Sequence, residues 1–221
     1  MHLGRSDVVV PNLPGFGRTA LPNGQPDLAA VATSLWEHVP PAEPVVLVGI
    51  SLGGYVALAM ARQRPVAGLG LVDTKLSADT PGSLRNRQRL ADQMDRRESM
   101  AYYAKQALPT LLGATTHTRR ASVVSQVRSW IEQADPRSVA WYARAMGARP
   151  DSTDVVENFD GPVLAMRGDE DSISTVEDVA AVAALARRCT VVTVPGCGHL
   201  PPIEDAAGTA SALDEWLTTY W

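Results

Sequence analysis

The stretch VLVGISLGGYVALAMA, residues 46–61, places one small hydroxyl between glycines. A β-branched apolar run meets Gly49, Ile50, Ser51, Leu52 and Gly53, and a helix-like stretch follows. This is the G-x-S-x-G pattern at the seam of a strand and a helix, where a strained turn lifts a serine hydroxyl above a sheet. The pattern is short, so its weight rests on that context. A side chain at Gly49 or Gly53 is expected to collide with neighbouring backbone in so tight a turn. The start of the helix offers amides to a developing negative charge, the Leu52 amide first among them.

A serine hydroxyl attacks poorly unless a base takes its proton. The chain has four histidines. His2 is terminal, His38 closes a predicted helix and His117 lies in a helical stretch. His199 sits in VPGCGHLPPIED directly after the last predicted strand, where α/β sites gather. Gly196 and Gly198 let that loop bend the imidazole towards the top of the sheet. The base in turn needs an acid to hold its tautomer. AMRGDEDSIS, residues 165–174, offers Asp169, Glu170 and Asp171 after the preceding strand. Asp171 reaches furthest into the loop and is the chosen acid. Asp169 is suited to capping the turn, and Asp73, at the end of the strand after the elbow, is the rival acid. No second ligand cluster turns the acidic trio into a metal site, and no cofactor is implied.

The elements that must position these groups are short β-branched runs alternating with helical periodicity. Residues 7–10, 45–48, 68–73, 162–167 and 190–195 read as buried strands without polar alternation, as in a parallel sheet covered on both faces. Residues 28–38, 52–64, 176–185 and 206–220 read as helices. The fold class is therefore α/β, a mostly parallel sheet of about five strands flanked by helices. Between residues 75 and 150 no strand is predicted. SMAYYAKQAL, RRASVVSQVRSWIEQ and RSVAWYARAM are helical in period, with Pro81, Pro109, Pro136 and Pro150 near helix starts or breaks. The division is a core of residues 1–74 and 151–221 with a helical cap at 75–150.

Composition narrows the classes of function. The 221 residues carry a net charge of −4, with 45% hydrophobic and 20% charged. No basic block suggests nucleic acid. No apolar run reaches the ~18 residues of a membrane span, and no signal-peptide core is seen, so a cytoplasmic protein is expected. The two cysteines, Cys189 and Cys197, have no zinc or redox spacing and are expected as free thiols. Self-association into a homo-oligomer stays open.

The chain resembles the α/β-hydrolase superfamily, in particular capped ester and lactone hydrolases such as 3-oxoadipate enol-lactonases and pimeloyl-carrier-protein methyl esterases. PNLPGFGRT is similar to that family's loop, with Asn12 where aspartate is usual. GISLGG matches its elbow, with Ile50 where histidine is frequent. LVDTKLSADTPGSLRNR looks like the entry to a cap, RGDEDSIS like the acid loop, and GCGHLPPIED like the histidine loop, with Glu204 in its helper position. The order Ser51, Asp171, His199 is also the family's. The resemblance implies Ser51 as nucleophile, His199 as base and Asp171 as orienting acid, and a small-molecule carboxylic ester, thioester or lactone as substrate. The same site turned to lyase, cyclase or acyltransferase chemistry is the alternative, as is an inactive binding relative.

One departure concerns the oxyanion side. The family's strand with a His-Gly oxyanion loop has no counterpart ahead of PNLPGFG. Without it the sheet is expected to close up, be completed by another chain or leave backbone groups unpaired, the last being costly. Closing up would pair residues 7–10 with 45–48 and bring the loop at 11–17 towards Ser51. Besides the Leu52 amide, a second oxyanion donor is then expected from the backbone of Asn12 or Leu13. Loss of one such donor lowers turnover by about 10²–10³. The aromatics Tyr102, Tyr103, Trp130, Trp141 and Tyr142 suit an apolar roof for a small or medium acyl group, or else pack the cap onto the core.

Overall fold

The computed structural model describes residues 8–40, 43–96 and 99–221. In chain order the first elements are α1 (Leu28–Leu35), extended by a 3₁₀ turn at Trp36–His38, β1 (Val46–Ile50), α2 (Leu52–Gln63) and β2 (Gly68–Val72). Then come α3 (Pro81–Asp95), α4 (Met100–Leu111), α5 (Ala114–Arg119), α6 (Ala121–Gln133), α7 (Pro136–Ala148) and α8 (Thr153–Glu157). The chain returns to β3 (Val163–Gly168), α9 (Val176–Leu185), β4 (Cys189–Val194), α10 (Pro201–Glu204) and α11 (Ala206–Tyr220).

Among the described residues the sheet has four parallel strands in the order β1-β2-β3-β4. The expected first strand is the difference. Asp7 lies outside the described residues, and Val8, Val9 and Val10 form no strand and face solvent, Val10 at 86% exposure. Leaving three valines exposed gives up the burial that the β-branched run invited. The pairing of residues 8–10 with β1 therefore does not occur, and among the described residues β1 is the end strand of the sheet, with Val48 46% exposed.

Strand alternation assigns the two faces. Leu47, Leu69, Leu71, Val163 and Ala165 pack with Leu28, Val31, Leu35, Val56, Leu58 and Val182 from α1, α2 and α9. Val72, Leu164, Met166 and Val194 pack with Leu213 and Trp216 of α11. Both central strands, β2 and β3, are buried throughout, which is why they read as unbroken apolar runs.

Local chemistry sets the helix ends. Asp27 caps α1 by accepting from the Ala29 amide at 2.8 Å. Thr175 and Asp178 form a reciprocal capping box on α9. Pro81 and Pro136 occupy the first turns of α3 and α7, where their missing N–H is no loss. Pro109, expected at a helix boundary, lies inside α4, two residues before its end. Both cysteines are free, Cys197 fully buried and Cys189 partly so. Among the described residues no helix is long and apolar enough to cross a membrane.

Candidate active site

Ser51 joins β1 to α2 with φ 48° and ψ −112°, a strained conformation for a residue with a side chain. Its amide donates to the Val72 carbonyl on β2 at 2.9 Å, which pins the turn to the neighbouring strand. A Cβ on Gly49 would strike the Gly53 carbonyl, so only glycine fits there. Gly53 corrects the sequence reading: nothing lies within 4 Å of a Cβ built on it. The second crowded position is Gly54, whose Cβ would run into the Thr74 side chain. The doubled glycine of GISLGG was the available signal. Its second member approaches the loop after β2, a contact that local spacing does not reveal.

The loops after β3 and β4 bring the other two side chains to Ser51. His199 Nε2 lies 2.7 Å from Ser51 Oγ, and His199 Nδ1 lies 2.9 Å from Asp171 Oδ2. With Asp171 ionised, Nδ1 carries the proton and donates to it, which leaves Nε2 free to accept from the serine hydroxyl. His199 is 3% exposed and the Asp171 side chain is fully covered. Asp171 Oδ1 accepts from the Ile173 amide at 2.7 Å, and Oδ2 accepts from the Ser174 amide at 3.1 Å. Burial works against its charge, but the hydrogen bond from His199, the pull of the imidazole and the Ile173 amide help to outweigh it. The carboxyl is held below its ordinary value. Both imidazole nitrogens are thus engaged, by Asp171 and Ser51, and Asp73, the rival acid, bonds neither. Ligand atoms of Asp73, Asp171 and His199 all fall within 4.8 Å of one another.

The histidine loop is clamped from several sides. Asp169 Oδ1 accepts from the amides of Gly196 and Cys197 at 2.7 and 3.3 Å, the turn-capping role considered for it. Gly196 has φ 64°, open to glycine at no steric cost. Gly168 and Gly198 meet so closely that a Cβ on Gly168 would enter the Gly198 carbonyl. The inserted helices grip the same loop. The His199 amide donates to Leu111 O at 3.1 Å, and the Arg120 guanidinium donates to Gly196 O at 2.7 Å. Buried Glu204 accepts from the amides of Gly113 (2.8 Å) and Leu200 (3.1 Å). Glu170 accepts from the Thr115 amide at 2.8 Å and from its hydroxyl. The resemblance pointed to Glu204. Nothing in the sequence pointed to Gly113, Thr115 and Arg120 as partners of Glu204, Glu170 and Gly196.

The oxyanion side is built more thinly. Leu52 opens α2, so its amide has no acceptor within the helix and is free to meet a substrate oxygen. Leu13 and Leu52 rest on one apolar cluster that includes Trp141 and Tyr142. Asn12 is exposed, its side-chain amide against Gly17. The loop they belong to is tied to α7: Tyr142 donates to Pro14 O at 2.9 Å and Ser138 to Gly15 O at 2.7 Å. Phe16 stacks against the Tyr142 ring at 5.2 Å. The five predicted roof aromatics do not gather in one place. Trp141 and Tyr142 are buried in the core cluster, and Tyr103 packs among α3 and α7 residues. Tyr102 and Trp130 are 53% and 50% exposed.

A parallel sheet with a strained serine elbow, and an acid and a histidine on the following strand-end loops, defines a class, and comparison with known proteins gives the same one. The model of the Alpha/beta hydrolase family matches residues 1–212, and the chain belongs to that family. Among solved structures, a thermophilic esterase from Thermogutta terrifontis is 36% identical, with a TM-score of 0.88 over 95% of this chain and 78% of that one. The enol-lactonase from Burkholderia xenovorans LB400 shares the fold at 21% identity and TM-score 0.81, over 94% of this chain and 79% of that one. MenH from S. aureus does so at 19% identity and TM-score 0.82, over 95% and 82%. No curated protein sequence matches the chain. Family membership and the esterase relative make the protein a hydrolase.

Proposed function

We propose that this hydrolase is a serine esterase that cleaves small-molecule carboxylic esters, thioesters or lactones through an acyl-enzyme. One observation carries the reading: the unbroken chain of hydrogen-bond distances from Asp171 through His199 to the hydroxyl of Ser51. His199 Nε2 takes the Ser51 proton as Oγ attacks the carbonyl carbon, and Asp171 holds the imidazole and steadies the imidazolium. The oxyanion leans on the Leu52 amide and on a second donor from the backbone at Asn12 or Leu13. His199 then gives its proton to the leaving alcohol or thiol. Water, deprotonated by His199, releases the acid and restores Ser51. No metal or cofactor takes part in these steps.

Trp141 and Tyr142 are proposed to wall the acyl pocket, because they share an apolar cluster with Leu13 and Leu52 beside the elbow. The test uses short-chain p-nitrophenyl esters with the full chain and with Ser51→Ala. Turnover that vanishes in the variant supports the reading. Fluorophosphonate labelling of Ser51 without ester cleavage favours lyase, cyclase or acyltransferase chemistry at the same site. Neither labelling nor turnover favours an inactive binding relative.

A further inference from the structure

Asp73 is a buried carboxyl that the mechanism above does not use. It follows β2 with φ 45°, so its backbone is held in a region that residues with side chains avoid. Its amide donates to Met166 O at 2.8 Å, and its Oδ1 accepts from the Gly168 amide at 3.1 Å. It is 2% exposed, and its Oδ2 is buried with no hydrogen-bond donor. An ionised carboxylate with a single amide donor remains a costly buried charge, and it would sit beside a second carboxylate.

The groups facing Asp73 decide how the conflict resolves. Asp171 and His199 stand within 4.8 Å of it. Arg167, on β3, is the nearby cation, but its guanidinium is turned to the carbonyls of Asp171 (2.8 Å) and Ser174 (3.4 Å). Asp171 Oδ2 already takes two donors, and His199 Nδ1 is engaged by it, so a cation held by all three groups would have to break the acid–histidine bond. A proton needs no such rearrangement.

Resting on the esterase reading, we infer that Asp73 is a positioning residue: a neutral carboxylic acid whose Oδ2–H donates to Asp171 and holds that carboxylate against His199. Burial and the neighbouring Asp171 carboxylate raise the Asp73 carboxyl to about 9, and the same contact is among those that lower Asp171. Two carboxyls thus share one proton, with the charge kept on the member that faces the imidazole. Above that value the donor is lost, the pair repels, and the acid that orients His199 loosens.

The test is a ¹³C side-chain carboxyl NMR titration of the full chain, with infrared detection of a protonated carboxyl in the wild type as a check that needs no variant. The expected result is a carboxyl still protonated at pH 7 that loses its proton near pH 9 and is missing in Asp73→Asn. Asp73 ionised at pH 7 overturns the inference. In ester hydrolysis, kcat/KM of the wild type should fall above pH 9, and Asp73→Asn should lack that limb. Asp73→Ala should lose about tenfold at pH 7, the worth of one hydrogen bond to a charged group. Asp73→Asn, which keeps a donor, should lose less. An unchanged alkaline limb in Asp73→Asn also overturns the inference. If the wild type cleaves no ester, the esterase reading falls while the carboxyl titration still decides the state of Asp73.

Discussion

The two halves of the candidate site are built to different standards. On the acid–base side, the loops after β3 and β4 are packed glycine against glycine at Gly168 and Gly198, and the inserted helices clamp them through Glu204, Glu170 and Arg120. On the oxyanion side, β1 is the end strand among the described residues, Val8–Val10 lie exposed, and the loop at 11–17 is held by Ser138 and by Tyr142, which also meets Phe16. A base and its acid must hold their geometry to within tenths of an ångström, and dense packing supplies that. An oxyanion donor is a backbone amide on a helix start or a loop, which asks for less local burial. Among the described residues, the tertiary contacts at the site are densest around the histidine.

The largest expected effects fall on the packed half. Ser51→Ala or His199→Ala should lower ester kcat/KM by about 10⁵–10⁶, read with p-nitrophenyl esters. Asp171→Asn should cost about 10⁴, because the imidazole then adopts the wrong tautomer. A loss below tenfold would mean that Asp171 does not orient the base and would remove the contrast.

The elbow comes next and sharpens the comparison within a few residues. Gly54→Ala should destabilise by about 1–3 kcal/mol in urea unfolding through its clash with Thr74, and Thr74→Ser in the same chain should recover only part of it. Gly53→Ala should stay within about 1 kcal/mol of wild type. Of similar size, Glu204→Ala should cost about 1–3 kcal/mol, because it leaves the buried amides of Gly113 and Leu200 without an acceptor.

The oxyanion half should respond less in stability. Tyr142→Phe removes the hydroxyl that anchors Pro14 O and should cost about 1 kcal/mol. If the loop carries the second donor, the same change should lower kcat more than it raises KM. Val48→Thr, on the open edge of β1, should be nearly silent, within about 0.5 kcal/mol.

The pH dependence of stability separates the two carboxyls. Asp171 is lowered in the folded state, so its contribution is present above the ordinary carboxylate range and is lost as the pH falls through its depressed value. Asp73 is raised, so its contribution is present below that range and is lost as the pH rises towards about 9. Melting temperatures should therefore decline between pH 5 and 9 more steeply in the wild type than in Asp73→Asn.

The parallel α/β layout was legible because β2 and β3 are buried on both faces and read as apolar runs, and because the helices carry caps and periodicity of their own. The elbow was legible because its strain is local: Gly49 must clear Gly53, four residues on. The exposed valines at 8–10 misled: β-branched composition favours a strand only where the run pairs and packs, and residues 8–10 do neither. The loop after β3 already favoured Asp171 over Asp73, and the imidazole meets Asp171. The crowding at Gly54 rather than Gly53, and the grip of Gly113, Thr115 and Arg120 on the histidine loop, came only from the folded structure. Each depends on the approach of backbones distant in sequence, 148 positions apart for Ser51 and His199. Residue type and spacing name the groups that can react. Packing across the sheet decides which of them meet.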